Sequence, residues 1–263
     1  NCSIKDSSTL LVARAPSVKI GVVGNCEKKA IRFIDESNYN GLAKGTTMWR
    51  IDFNNVAQID PPYIFDTIGF YFVRLIVSNS LGCTDSNYRF VTVNGNPAVY
   101  NTKANACIGD SVLLTDNSTV AKMKVKSVVW AFGTDTVKAK SAKKAFTKSG
   151  VTYFTQTVVS DSGCITQLVD SLVVLAPPKI GIGFTGKCVV DTINIKSSVK
   201  LSNNDSVQKY TWTVKNQTFN TANTRFKFDS AGTYTIALKA ISKAGCKDSF
   251  SRKLVINPMP MVK

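Results

Sequence analysis

Cys26, Cys107 and Cys188 stand 81 residues apart. Trp49, Trp130 and Trp212 follow at spacings of 81 and 82, as do Cys83, Cys164 and Cys246, each preceded by glycine. A proline comes fourteen residues after each of these last cysteines (Pro97, Pro178, Pro260), and Cys2 and Pro16 keep the same offset. A chain that repeats this faithfully folds as a tandem array, in which each unit buries its own core and touches mainly its neighbours. The period divides the chain into the last strand of a preceding, truncated repeat at 1–15 and three units at 16–96, 97–177 and 178–263. Each unit is near the lower end of the sizes that hold an independent core. The chain reads as an excerpt that starts inside a longer mature protein, and no apolar run approaches the roughly 18 residues that span a bilayer.

Residue usage points to strands. There are two glutamates, Glu27 and Glu36, among many Val, Ile, Thr, Ser and aromatic residues, a mixture suited to pleated surfaces and turns. Alternating runs recur at Tyr71–Val77, Tyr153–Val159 and Tyr234–Ile241, and no stretch holds helical periodicity for three turns. Each unit reads as seven short strands. A short apolar strand opens it (Val18–Val22; Ala98–Tyr100; Ile180–Ile182), the first cysteine follows, and a second strand is clearest at Ser111–Leu114 and Thr192–Ile195. The Trp strand, the Tyr strand, a Gly-Cys hairpin and a closing strand complete it. The expected fold is all-β, a series of immunoglobulin-like sandwiches following end to end in an extended rod. The tryptophans are read as core anchors; the competing role, stacking on sugars, does not suit one Trp per repeat on an apolar strand. Tyr71 and Tyr234, two residues after a glycine, sit where a tyrosine corner ties its hydroxyl to the backbone, whereas Tyr153 comes one residue late.

Seven cysteines in register, with no C-x-x-C pair and no histidine anywhere, fit disulfides in an oxidising compartment better than metal ligation or buried thiols. The simplest wiring pairs each repeat's own cysteines, Cys26–Cys83, Cys107–Cys164 and Cys188–Cys246. Sandwich topology favours a different one. The first cysteine precedes the second strand and the other follows the sixth, which places them at opposite poles about 25 Å apart. A disulfide needs α-carbons within about 7 Å. The favoured staples therefore join neighbours, Cys26–Cys164 and Cys107–Cys246, with Cys2, Cys83 and Cys188 left for flanking repeats.

Several segments resemble PKD-type repeats: Trp130-Ala-Phe-Gly-Thr-Asp135, the Phe228–Tyr234 run Phe-Asp-x-x-Gly-x-Tyr, and the Gly245–Ser249 turn Gly-Cys-x-Asp-Ser. With Cys107-Ile-Gly-Asp-Ser-Val112, they are similar to the cysteine-bearing repeats of surface adhesins and gliding-associated proteins of Bacteroidota. The resemblance implies a secreted, cell-surface stalk whose partners are neighbouring repeats and surface polysaccharide or other envelope proteins. The acidic turn that some PKD domains offer to calcium is degraded in the outer units, so no metal site is carried over.

Catalysis finds no support. The absence of histidine removes Ser-His-Asp and Cys-His arrangements, and the acids are scattered among turns. No catalytic residue, cofactor or metal ligand is assigned. The net charge of +16 is densest at Lys122, Lys124 and Lys126, whose alternation predicts one exposed strand face, and at Lys138, Lys140, Lys143, Lys144 and Lys148. A solvated edge that discourages sheet pairing accounts for such a patch. The alternative is a face that grips an acidic polysaccharide or another envelope polyanion. Nucleic acid is not an expected partner, since fold and compartment are both wrong for it. Finally, eleven of fifteen aspartates are followed by Ser or Thr. The pattern matches the O-glycan acceptor signal of the same resembled group, with Thr67, Ser111, Thr136, Ser171, Thr192, Ser206 and Ser230 as candidates. Turn chemistry competes as its explanation.

Overall fold

Alternation along the strands sorts the residues of each repeat into two sheets with one core between them. The computed structural model describes residues 12–52, 54–56, 62–104, 106–202 and 204–259. In the first repeat β1 (Ile20–Val23), β2 (Ala30–Asp35), β3 (Lys44–Ile51), β4 (Asn54–Val56), β5 (Pro62–Ile64), β6 (Gly69–Asn79) and β7 (Thr84–Val93) form sheets of order β1-β2-β5 and β4-β3-β6-β7. The middle repeat supplies β8 (Asn101–Lys103), β9 (Ala106–Cys107), β10 (Ser111–Asp116), β11 (Val125–Phe132), β12 (Asp135–Lys138), β13 (Ser141–Ala145), β14 (Gly150–Ser160) and β15 (Ile165–Leu175). They order as β13-β10-β8 and β12-β11-β14-β15-β9. The third supplies β16 (Lys179–Thr185), β17 (Thr192–Lys200), β18 (Val207–Val214), β19 (Gln217–Phe219), β20 (Asn223–Lys227), β21 (Gly232–Ser242) and β22 (Lys247–Ile256), ordered β16-β17-β20 and β19-β18-β21-β22. Two packed sheets per repeat, antiparallel apart from the short parallel pairing of β9 with β15, are the immunoglobulin-like sandwich.

The described chain forms two compact units. One is built from the described parts of Asn1–Tyr100 with Asn117–Val128 and Thr157–Leu168, the other from Asn101–Asp116, Val129–Gln156 and the described parts of Val169–Lys263. In the first unit Ile31 and Phe33 of β2, Trp49 and Ile51 of β3, Val73 and Leu75 of β6 and Val91 of β7 meet in one core. In the second unit Ile193, Ile195, Trp212, Val214, Ile236 and Leu238 repeat that core position for position. The three tryptophans are completely buried. The Nε1 of Trp130 donates to Ala139 O and that of Trp212 to Thr221 O, each at 3.0 Å and each nine residues downstream. The corresponding residue for Trp49, Gln58, lies outside the described residues.

The opening strand of the middle repeat differs from the sequence reading. Ala98 makes only an isolated bridge to Thr119, and the strand forms later, at Asn101–Lys103. One core feature was unforeseen. Gln156 occupies the place of Leu75 and Leu238, is fully buried, and donates to Asp116 Oδ1 at 2.7 Å while accepting from Asn101 Nδ2 at 3.1 Å. A glutamine at an inward position of an apolar alternation was the available signal.

The first repeat has its own polar anchor at the end of β2. The carboxylate of Asp35 is almost fully covered, takes Lys44 Nζ at 2.7 Å and accepts from Tyr39 OH at 2.6 Å and Ser37 N at 3.0 Å. Burial pushes its pKa up, but Lys44, Ser37 and Tyr39 together outweigh that and hold it at about 2. The folded state thus gains stability from this carboxylate above its unfolded value near 4 and loses it as pH falls through about 2. Lys44 is partly exposed, so screening reduces the contribution to about 1 kcal/mol. Hydrogen-exchange protection at β2 and β3, taken relative to the intrinsic rate at each pH, should therefore fall more between pH 5 and pH 2 in the wild type than in Asp35→Asn; equal loss of protection would count against this anchor.

Candidate functional site

The cysteines lie in two recurring frames. The Gly-Cys frame closes the hairpin between the two longest strands. Ser160 N donates to Cys164 O at 2.9 Å, Gly163 N to Ser160 O at 3.1 Å, and Cys164 N to Ser160 Oγ at 3.0 Å. Ser242, Gly245 and Cys246 reproduce this, and so do Asn79, Gly82 and Cys83, with Asn79 Oδ1 as the acceptor at 3.0 Å. The glycines have φ of 81°, 88° and 90° and open space where a Cβ would sit. The left-handed backbone, and no steric crowding, is what demands glycine before each of these cysteines.

The second frame pairs the first cysteine of each repeat, in parallel, with the end of that repeat's last strand. Cys26 bridges Asn94, Cys107 pairs with Leu175, and Cys188 bridges Asn257. Glu27 N donates to Asn94 O at 2.9 Å, Ile108 N to Leu175 O at 3.0 Å, and Val189 N to Asn257 O at 3.1 Å. Cys26 and Cys107 are thereby held where the chain leaves for the next repeat.

Two of these frames are joined in each unit. Cys26 is bonded to Cys164 with α-carbons 5.7 Å apart, and Cys107 to Cys246 at 5.5 Å. No disulfide links Cys26 to Cys83 or Cys107 to Cys164. The staple in the first unit is flanked by a hydrogen bond from Asn25 Nδ2 to Ser162 O at 3.3 Å. In the second unit Cys107, Leu175 and Cys246 form a small buried cluster with Ala244. Cys83 and Cys188 are free and half-buried. Cys83 Sγ lies 3.7 Å from Ala13 O, much as Cys164 Sγ lies 3.9 Å from Asn94 O one period later. Cys2 lies outside the described residues.

The lysines need a correction. Lys122 and Lys124 do not share a strand with Lys126, because 121–123 form a turn and Lys122 has φ of 58°, a conformation that ends the alternation. All three are exposed in the first unit, and Lys138, Lys140, Lys143 and Lys148 are exposed in the second. Lys144 is engaged. It pairs with Asp135 and stands 5.9 Å from the centre of the Phe132 ring. The Lys144 ammonium bonded to Asp135 holds that carboxyl below its ordinary range.

Among the acceptor candidates Thr67, Ser111, Thr136, Thr192, Ser206 and Ser230 are exposed and Ser171 is half-buried. Local bonding explains many of the Asp-Ser/Thr pairs: Asp170 and Asp205 accept the next residue's amide at 2.7 and 2.8 Å, and Asp191 Oδ2 accepts from Cys188 N at 3.0 Å. Thr67 and Ser230 belong to tyrosine corners. Tyr71 OH donates to Thr67 O at 2.8 Å and Tyr234 OH to Ser230 O at 2.9 Å. The middle repeat lacks the corner, since Thr152 stands at that position and Tyr153 is 69% exposed. Tyr234→Phe should cost about 1 kcal/mol in thermal unfolding and Tyr153→Phe nothing measurable; similar losses would remove the distinction.

Among the described residues no group of three or more Cys, Asp or Glu is placed to hold a metal ion. No protein-family model and no curated protein matches the chain. Solved structures do. A PKD1 domain of Vibrio anguillarum Epp matches at 20% identity over 32% of this chain and 99% of its own, with a TM-score of 0.30. Three N-terminal domains of the bacteriophage RB49 outer capsid protein Hoc match at 12% identity over 93% and 99%, with a TM-score of 0.44. The I67–I69 fragment of titin matches at 12% over 95% and 100%, with a TM-score of 0.38. By its sheets and their order, the chain is a tandem array of immunoglobulin-like β-sandwiches.

Proposed function

We propose that this chain is a non-catalytic stalk segment of a large secreted surface protein, an adhesin of the kind associated with gliding in Bacteroidota. Its domains would be the repeats at 16–96, 97–177 and 178–263, set end to end in the extracellular space. The observation that carries the reading is the pair of staples whose members are 138 and 139 residues apart, one period longer than the span within a repeat. Such bonds join successive repeats and stiffen their junctions, which serves reach and tension more than chemistry. Disulfides also persist in oxidising compartments, in keeping with an extracellular location. Cys83 and Cys188, held in the same frames as the bonded cysteines, supply the bonds to flanking repeats on this reading, as Cys2 does. Small-angle scattering should give a rod of roughly 100–120 Å, from strands of 7–9 residues per sandwich with their loops. A globule of half that length refutes the stalk.

The polyanion reading keeps one observation in its favour: Lys138, Lys140, Lys143 and Lys148 are exposed and take no ion pair among the described residues. Salt-sensitive binding of an acidic polysaccharide, lost when these four are neutralised, is its test. Glycosylation is a further part of the proposal. Protein from its native source should carry O-glycans, with Thr136 and Ser206 occupied ahead of half-buried Ser171. An intact mass equal to the bare polypeptide excludes it.

A further inference from the structure

The outer face of the four-stranded sheet in the first repeat departs from the rest of the array. Phe72 pairs with Phe90 across β6 and β7, Arg74 pairs with Tyr88 in the next row, and Arg50 of β3 pairs with Arg74 on the other side. Phe70, Tyr88 and Phe90 are 79%, 59% and 63% exposed, and exposed Met48 stands in the row beyond Arg50, opposite Ile76. Phe72 lies 5.3 Å from the ring of Tyr88 and 5.8 Å from that of Phe90. The fold does not require this. In the third repeat the same rows are Thr213–Ala237–Ser251 and Thr235–Lys253.

The choice of cation is equally particular. The chain's 33 Lys and Arg include only seven arginines, yet two of them stand directly opposite each other on this face, while Lys122 meets it at the edge, lining a hollow with Phe70 and Thr92. Like charges paired across strands destabilise a sheet. Neither arginine takes an ion pair among the described residues. Arg74 donates to Ser86 Oγ at 2.7 Å, and the buried Nε of Arg50 has no partner among the described residues. Arg, Met, Phe and Tyr at the centre, with Lys122 at the edge, is the composition of a protein interface core and its rim.

We infer that this face of the first repeat docks a protein surface that carries carboxylates beside apolar or aromatic side chains. Carboxylates would relieve the Arg50–Arg74 repulsion through forked hydrogen bonds, while Phe70, Tyr88 and Phe90 lose their water. A second copy of this chain is the poorer occupant, since a two-fold contact brings four arginines together. A glycan is also poorer: Phe72 and Tyr88 lie within 28° of parallel, but Phe90 meets them at 66° and 82°, so the three rings do not form one level shelf for a sugar ring. A stalk needs no lateral site, so this surface stands independently of the proposed function.

The test titrates the full chain by calorimetry with a random copolymer of glutamate and tyrosine, with polyglutamate and with alginate as separate arms. The copolymer should bind more tightly than polyglutamate, and Tyr88→Ser with Phe90→Ser should weaken it about tenfold, equivalent to about 1.4 kcal/mol. Arg74→Lys should weaken it too, because the ammonium lacks the planar fork. Neutralising Lys138, Lys140 and Lys143 should weaken copolymer and polyglutamate by the same factor, since these lysines meet carboxylates alone, whereas the aromatic variant should weaken the copolymer only. All these positions are exposed or half-exposed, and an unchanged melting curve establishes that each variant folds. No copolymer binding, copolymer binding no tighter than polyglutamate, binding lost with the lysines and kept without the aromatics, alginate binding that needs the aromatics, or self-association abolished by the aromatic variant would each overturn the inference.

Discussion

Replacing Cys107 and Cys246 together by alanine should destabilise the second unit by about 3–5 kcal/mol. The staple closes a loop of 139 residues, and chain entropy in the unfolded state grows with the logarithm of that length. Because the loop runs through two repeats, the full loss appears when both open and less when one opens alone. The change also removes buried sulfur from the cluster with Leu175. Hydrogen exchange at β18 and β21, compared with β3 and β6 as internal reference, separates the affected unit from the other. A loss below about 1 kcal/mol would mean that the unfolded chain keeps its ends together without the bond.

Trp212→Ala should cost about 3–5 kcal/mol, the usual range for deleting a fully buried large aromatic. Trp212 is wholly enclosed, packs with Ile193, Ile195 and Leu238, and also loses its bond to Thr221 O. Neighbours on rigid strands collapse only partly into the space, so the cavity term adds to the lost transfer energy. Tyr153→Ala, at a position 69% exposed, should stay within about 0.5 kcal/mol and serves as the control. Denaturant unfolding followed by the fluorescence of the remaining tryptophans measures both; a Trp212 loss no larger than that of Tyr153 would remove it from the core.

The sandwich fold was legible in the sequence because each strand is half-buried. Inward residues such as Trp212 and Val214 alternate with polar Thr211 and Thr213, and the period multiplies that signal threefold. The staples were open to topological argument, since strand length separates the two poles of a sandwich whatever the loops do. Where alternation was read without knowing the turns, it failed: Lys122 looks like a strand residue but sits in a left-handed turn. The outer-face aromatics were hidden for a related reason. Phe70, Tyr71 and Phe72 are consecutive, and only pairing of β6 with β7 shows that Tyr71 turns inward while its neighbours meet water. Gln156 could have been flagged by parity, but its partners Asp116 and Asn101 come from strands that sequence order does not bring together.

The two disulfides overlap in sequence, and this changes what the chain can do when pulled. Cys26 and Cys246 are separated by roughly 220 residues, a contour of about 750 Å if every sandwich unravels. Crossing from Cys26 to Cys164, running back to Cys107 and crossing again to Cys246 covers only about 57 residues, or about 200 Å. The shortest covalent route caps extension at little more than a quarter of the free contour, even after complete loss of tertiary structure. An oxidised array would yield in short increments and recover its folded neighbours nearby, whereas a reduced one would pay out its whole length.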